Sequence, residues 1–129
     1  MQRRLALVTV VVPDYDRAIA YYVGTLGFRL VEDIDMGGGK RWVVVAPGDG
    51  GSHLLIARAA TLGQEAAIGH QAGGRVFLIL ETDDFDRDHA IYLAAGVHFR
   101  EAPRDEPYGR VAVFEDAFGN RWDLIQPKR

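Results

Sequence analysis

The stretch Leu5-Ala-Leu-Val-Thr-Val-Val-Val-Pro-Asp-Tyr-Asp-Arg-Ala-Ile-Ala-Tyr-Tyr22 decides the fold, because the chain repeats its plan once. In this first copy an apolar run leads into Asp14-Tyr-Asp-Arg17. In the second copy another apolar run, beginning at Val76, leads into Asp84-Phe-Asp-Arg87. The two signatures start at positions 14 and 84, an offset of 70 residues in a chain of 129. An internal repeat of this kind predicts two similar structural units.

Length and composition are those of a globular protein with a core. Hydrophobic residues make up 48% of the chain and charged residues 26%, both in the ordinary range. The net charge is −3 and no basic stripe is present, so we expect no nucleic-acid partner. Without cysteine there is no disulfide, thiolate metal site or cysteine nucleophile. No apolar run approaches the roughly 18 residues of a membrane span and no signal-peptide layout is present, which predicts a cytoplasmic protein without a membrane partner.

The first half of the chain predicts a β-α-β-β-β unit. The β-branched run up to Val12 is typical of a buried strand, and Pro13 ends it. Asp14 is a good cap for a helix in which apolar residues recur at helical spacing from Tyr15 to Leu26. Three further strands are then expected over residues 28–35, 41–46 and 53–58.

The second half repeats this order after a linker. Residues 59–74 are rich in alanine and glycine and lack a clean period, which predicts a linker with one short helical turn. A strand (75–81), a helix (84–95) and strands at about 97–101, 110–115 and 121–126 are expected to follow. The fold class is therefore α+β: two tandem βαβββ modules, about 1–58 and 75–129, within one domain over 1–129. Each module is expected to be a curved sheet with one helix on its outer face.

Several motifs resemble those of the vicinal-oxygen-chelate superfamily. Val12-Pro-Asp14, Ala18-x-x-Tyr21-Tyr22 and Leu26-Gly-Phe28 are similar to its opening module, and Glu115-Asp-Ala-Phe-Gly-Asn-Arg-Trp-Asp-Leu-Ile125 is similar to its closing turn and strand. This group includes glyoxalase I, extradiol dioxygenases, methylmalonyl-CoA epimerase, fosfomycin-modifying enzymes and bleomycin-resistance proteins. The resemblance covers the whole chain and implies that the two modules curl into a cup. It does not imply one reaction, because the scaffold hosts many chemistries.

The resemblance also implies four metal-ligand positions, on the first and last strands of each module. Counting from the capping aspartates and the turn glycines places them at Leu7, Leu55, Phe77 and Asp123. Hydrocarbon side chains donate nothing to a divalent cation, and one carboxylate does not hold it. The sequence therefore predicts no metal site and no cofactor.

The inner face of the expected cup is apolar with a few polar groups, which is the usual composition of a small-molecule pocket. Strand alternation places residues from the first and last strand of each module on this face. Trp42 and Tyr108 lie near hairpins, where they would stack on a planar ligand. The candidate ligand-binding residues are Leu7, Thr9, Trp42, His53, Leu55, Phe77, Tyr108, Arg121 and Asp123.

Simpler interpretations of these residues stay open. Asp123 would pair with Arg121 or Arg110 on a partly exposed strand, His53 would be solvated, and Trp42 would be a core or interface residue. The glycines at 37–39 are better interpreted as a flexible hairpin tip than as a phosphate cradle. Such a cradle needs a following helix N terminus and a Lys-Ser/Thr pair.

Two functions follow from these observations. The first is a metal-independent binding protein, resembling the bleomycin-resistance branch, that takes a small planar or cationic organic molecule in the cup between the modules. That resemblance also implies a homodimer. The second is a small-molecule lyase, isomerase or dioxygenase-like enzyme that uses Asp123 as a base or weak metal ligand, with His53 or Tyr108 as acid. Asp123, as a lone carboxylate among apolar groups, is expected to have a raised pKa. The sequence favours binding.

Overall fold

The computed structural model describes all 129 residues as a mixed α+β protein with two open, curved sheets, which confirms the predicted fold class. Two compact units are present, Met1–Ile68 (unit 1) and Gly69–Arg129 (unit 2). No helix is both long and apolar enough to cross a membrane. The elements of unit 1 are β1 (Leu7–Val12), α1 (Tyr15–Ile19), β2 (Arg29–Gly37), β3 (Lys40–Ala46), β4 (His53–Arg58) and α2 (Leu62–Ala67). Those of unit 2 are β5 (Leu78–Glu81), α3 (Phe85–Ala94), β6 (His98–Phe99), β7 (Arg104–Glu106), β8 (Gly109–Glu115) and β9 (Arg121–Pro127).

The sheet of unit 1 has the strand order β1-β4-β3-β2. β1 runs parallel to β4, and β3 runs antiparallel to both of its neighbours. α1 packs against β3 and β4 and covers one face of the sheet. The β-branched residues of that covered face are almost inaccessible to solvent: Val10, Val12, Val43, Val45 and Ile56. The alternation of the sequence therefore separates a covered face from an open face.

The sheet of unit 2 has the strand order β5-β9-β8-β6, with β7 also paired to β8. α3 packs against β9, and aromatic rings fill the space beneath it. Phe114 stacks on Trp122 with ring centroids 5.7 Å apart, and Tyr92 of α3 meets Phe114 edge-on at 5.8 Å. These rings make up the covered face of unit 2, and Asp123, next to Trp122 on β9, points to the opposite, open face.

The segment 59–74 contains the expected short helix, α2, whose N terminus is capped by the Thr61 hydroxyl. Two other local features differ from the sequence prediction. The first helix changes after Ile19 to a π-helix over Ala20–Thr25. The strand β7 was not expected, because its residues are all charged and Pro103 directly precedes it. Charged residues are tolerated in a strand at a sheet edge, where backbone pairing does not require an apolar face.

The two repeated aspartates are helix caps, as predicted. Asp14 accepts a hydrogen bond from the Arg17 backbone N–H at 2.8 Å, and Asp84 accepts one from the Arg87 N–H at 3.0 Å. We expect Asp14→Ala and Asp84→Ala each to lower the free energy of unfolding by about 1 kcal/mol. Urea denaturation measures the change. Asp14→Asn keeps an acceptor and should retain most of the stability; an equal loss in Asn and Ala variants would contradict the capping role.

Candidate ligand-binding site

On the open face of unit 2, the strand-pair neighbours of Asp123 have hydrocarbon side chains. Strand pairing places Asp123 between Ile79 of β5 and Val113 of β8. Ile125 lies opposite Val111 one step along the same face. Ile79 is 67% exposed, so apolar surface reaches solvent at the β5 edge. This is the surface composition that the sequence predicted for a ligand site.

Asp123 is the residue of this face whose hydrogen bonding is incomplete. Its Oδ1 atom is shielded from solvent and has no hydrogen-bond partner. Burial raises the pKa of the Asp123 carboxyl, the positive charge of Arg104 lowers it, and the Glu101 carboxylate raises it again; the net direction is upward. The predicted raised pKa is confirmed. Native proteins rarely leave a buried acceptor unsatisfied, so we expect a water or ligand donor at this atom.

A network around Arg104 lies close enough to Asp123 to influence its charge. The Arg104 Nε donates to both carboxylate oxygens of Glu101 at 2.9 Å. Its Nη1 donates to Glu106 at 3.0 Å and to the Tyr108 hydroxyl at 3.3 Å. This network positions Tyr108 in the β7–β8 turn, where its side chain is 54% exposed. The sequence analysis did not identify Arg104 or Glu101 as site residues, because they belong to a charged stretch without the alternation that indicates a strand.

The interpretation that Asp123 pairs with Arg121 or Arg110 is wrong. The Arg121 guanidinium donates to the Gly74 carbonyl oxygen at 3.1 Å. Arg110 lies opposite Gln126, so it belongs to the covered face, where it bridges Asp86 and Asp105. Strand parity therefore keeps Arg110 on the face opposite to Asp123.

The open face of unit 1 brings four of its predicted residues together. Leu7 is paired with His53, and Thr9 with Leu55, across the parallel β1–β4 ladder. His53 is half-buried, and its Nδ1 is shielded from solvent without a hydrogen-bond partner, so the side chain is not freely solvated. Trp42 of β3 is also half-buried, on this same open face. A ligand-binding role for these residues stays a prediction.

The positions at which the resemblance implies metal ligands do not fit a metal ion. Leu7 and Leu55 in unit 1, and Phe77 in unit 2, have hydrocarbon side chains without a donor atom. Asp123 is a single carboxylate. No group of three or more His, Cys, Asp or Glu side chains is arranged to hold an ion. A protein metal site needs several such donors, so these residues do not form one.

Comparison with known proteins gives the family. Residues 4–124 match the family described as the Glyoxalase/Bleomycin resistance protein/Dioxygenase superfamily. The chain belongs to this superfamily. An uncharacterised protein of Shewanella frigidimarina is 50% identical over 128 residues, covering 98% of this chain and 95% of that protein.

Two solved structures are similar to this superfamily member over nearly its full length. UcmS2 is 28% identical with a TM-score of 0.83, covering 97% of this chain and 98% of its own. TnmS3, an antibiotic binding protein from Streptomyces sp. CB03234, is 33% identical with a TM-score of 0.79, covering 99% and 98%. These proteins share the glyoxalase fold, and membership of the superfamily does not by itself fix a function.

Replacing the unpartnered carboxylate of this superfamily member should make the free protein more stable. Asp123→Leu removes a partly desolvated charge from an apolar face, and we expect the free energy of unfolding to rise by about 1 kcal/mol at neutral pH. Thermal unfolding would then shift upward by roughly 3–5 °C. An unchanged or lower melting temperature would show that the Asp123 carboxylate is fully hydrogen-bonded or solvated in the free protein.

The stability difference between Asp123→Leu and the wild type should depend on pH. The pKa of Asp123 is raised above its ordinary value of 3.8 in the folded protein. As pH rises through 3.8, the unfolded chain therefore loses this proton first, and the wild type loses stability until the raised pKa is passed. Asp123→Leu lacks this loss. Its advantage should be smallest below pH 3.8 and largest at neutral pH, as measured by urea unfolding across that range.

Proposed function

We propose that the protein binds a small organic molecule on the open faces of its sheets, without a metal ion. The observation that carries this proposal is the buried, unpartnered Oδ1 of Asp123 among the hydrocarbon side chains of Ile79, Val113 and Ile125. A mostly apolar surface with a few fixed polar groups is typical of small-molecule sites. The similarity to TnmS3, described as an antibiotic binding protein, supports the same class of function.

The chemistry of Asp123 indicates what its ligand offers. A carboxylate accepts hydrogen bonds only, so the complementary group is a hydroxyl or ammonium donor. Part of the cost of removing Asp123 from water is already present in the free protein, because its Oδ1 is shielded. A ligand donor would restore the missing hydrogen bond while the ligand's rings cover Ile79 and its apolar neighbours. We therefore expect a preference for apolar ligands that carry a donor.

A series of naphthalenes with one ring system and different substituents tests this preference. 2-Methylnaphthalene has no donor, 2-naphthylmethanol has a neutral donor, and 2-naphthylmethylammonium has a charged donor. By isothermal titration calorimetry on EDTA-treated protein, we expect the two donors to bind about tenfold more tightly than 2-methylnaphthalene. In Asp123→Leu this advantage should disappear. No binding by any of these compounds, or equal binding by all three, would contradict the proposal.

Two exposed isoleucines provide a matched control for the location. Ile79 lies on the open face and is 67% exposed, whereas Ile91 lies on α3 and is 54% exposed. Ile79→Asp and Ile91→Asp introduce the same charge at similarly accessible positions. We expect Ile79→Asp to weaken binding of 2-naphthylmethanol by about tenfold and Ile91→Asp to leave it unchanged. An equal effect of both variants would place the binding surface elsewhere.

The raised pKa of Asp123 also favours a second candidate, an enzyme in which Asp123 is a general base. Such a base would remove a proton next to a carbonyl group, as in a lyase or isomerase, with Tyr108 as the candidate acid. Deuterium exchange of the methyl group of 2-acetonaphthone in D2O, followed by NMR, separates the two functions. A base would accelerate exchange above the buffer rate, and Asp123→Asn would abolish that acceleration. Exchange at the buffer rate would contradict the general-base role.

A further inference from the structure

Strands β3 and β4 of unit 1 separate at one end and leave a cleft. Their ladder runs from Val45 opposite Leu54 to Val43 opposite Ile56 and ends there. Beyond this point the Arg41 backbone N–H donates to the hydroxyl of Tyr15, at 3.2 Å, instead of to β4. The cleft has a volume of about 470 Å³, within the range of small-molecule sites.

The charged side chains that line this cleft are all basic. Three basic residues line it, Lys40, Arg41 and Arg58, and no acidic residue does. Arg41 is neutralised by Asp33 at 2.7 Å and Asp16 at 2.8 Å. Neither Arg58 nor Lys40 has a carboxylate within ion-pair distance. The cleft therefore presents two uncompensated cations in a protein whose net charge is −3.

A cation–π contact places the Arg58 guanidinium at the cleft. Its central carbon lies 5.6 Å from the centre of the Tyr15 ring, a cation–π contact. On the other side it approaches the hairpin between β2 and β3, where a Cβ on Gly39 would lie 3.2 Å from the Arg58 Nη2. The planar donor group of Arg58 is thereby partly ordered before any ligand binds, which lowers the entropy cost of binding.

The remaining lining supplies an apolar surface for a ring. The Trp42 indole is held by a hydrogen bond of 2.6 Å from its Nε1 to Glu32. Leu55 and Ala57 of β4 also line the cleft and lie on the same sheet face as Trp42. Arg58 lies opposite Val12 and so belongs to the covered face, which means that the cleft is lined from both sheet faces where β3 and β4 separate. An aromatic ring in this gap would contact hydrocarbon and indole surface on one side and face Arg58 on the other.

We propose that this cleft binds a planar organic anion, an aromatic carboxylate, with its ring against Trp42 and Leu55 and its carboxylate on Arg58 and Lys40. The guanidinium group matches the two oxygens of a carboxylate in a paired hydrogen-bond geometry, and lysine adds a second charge. This site goes beyond the proposed function, because unit 1 residues alone form it and Asp123 takes no part in it.

Calorimetric titration with naphthalene-2-carboxylate and naphthalene-2-carboxamide tests the charge requirement. We expect the carboxylate to bind at least about tenfold more tightly than the uncharged amide. Arg58→Gln should weaken the carboxylate by about tenfold and leave the amide within about twofold. Arg58→Lys keeps the charge and should lose less. Equal affinity of the two compounds, or an unchanged carboxylate affinity in Arg58→Gln, would overturn the proposal.

Two further variants separate this site from the general charge of the protein and from Asp123. Arg29 lies at the other end of the β2–β3 hairpin, opposite Ala46, and Arg29→Gln removes the same charge. It should leave carboxylate affinity within about twofold, as should Asp123→Leu. A loss in Arg29→Gln as large as in Arg58→Gln would mean a non-specific charge effect and overturn the site. If 2-naphthylmethanol and 2-naphthylmethylammonium show no Asp123-dependent binding while naphthalene-2-carboxylate still binds, the proposed function is contradicted and this site is not.

Discussion

Asp116→Ala should lower the free energy of unfolding by about 4 kcal/mol, since one buried carboxylate organises the turn before β9. Its Oδ1 accepts from the backbone N–H groups of Phe118 at 2.9 Å and Asn120 at 3.0 Å. Its Oδ2 accepts from the Asn120 side-chain amide and the Trp122 indole, both at 3.0 Å. Asp116 is 5% exposed and Trp122 is 2% exposed. Alanine would leave these donors buried without acceptors.

Thermal and urea unfolding measure this effect, and we expect a fall in melting temperature of roughly 10–15 °C. Asp49 provides a matched control, because it occupies the corresponding loop of unit 1 but is exposed. Asp49→Ala should change the free energy of unfolding by no more than about 0.5 kcal/mol. Similar losses in both variants would show that the Asp116 hydrogen bonds contribute little.

Gly109→Ala is expected to cost about 3–5 kcal/mol, because β8 and β9 approach each other too closely there for a side chain. A Cβ at position 109 would lie 2.4 Å from the carbonyl oxygen of Gln126 and 3.0 Å from the Cα of Pro127. Both contacts are with backbone, which cannot rotate away. The φ of Gly109 is also positive, at 156°. The strand pairing that carries Asp123 would have to shift.

Gly24→Ala is the control for this substitution. It lies in the π-helix after α1, has an ordinary φ, and a Cβ there would meet nothing within 4 Å. We expect it to be neutral or stabilising by up to about 1 kcal/mol, since alanine is the better helix residue. Urea unfolding compares the two variants. A Gly109→Ala variant as stable as Gly24→Ala would contradict the close approach of β8 and β9.

The repeated signature carried most of the information about the fold. Asp14 and Asp84 marked the two helix starts, and the β-branched run up to Val12 marked a buried strand, because both signals depend on local physical preferences. The strand β7 and the change to a π-helix after Ile19 gave no such signal. A charged edge strand lacks apolar alternation, and a π-helical turn has nearly the same residue pattern as an α-helix.

Of the candidate site, the sequence predicted which sheet face each residue occupies, because side chains alternate along a strand. Parity placed Leu7, Thr9, His53 and Leu55 on one face, together with Asp123 on the corresponding face of the second module. Whether an arginine pairs with Asp123 depends on register across β8 and β9, which a single sequence does not specify. The cleft beside Arg58 depends on where the β3–β4 ladder ends. The homodimer, the cytoplasmic location and the ligand-binding roles stay predictions.

The central claim is that this superfamily member binds an organic molecule without a metal ion. Its most direct test is the affinity for 2-naphthylmethanol after EDTA treatment, with and without one equivalent of Zn²⁺, Ni²⁺, Mn²⁺ or Fe²⁺. We predict the same dissociation constant in every case and no rise in melting temperature with metal alone, since binding to the folded state would raise it. Binding that appears only with a metal, or a metal that raises the melting temperature clearly, would contradict the claim.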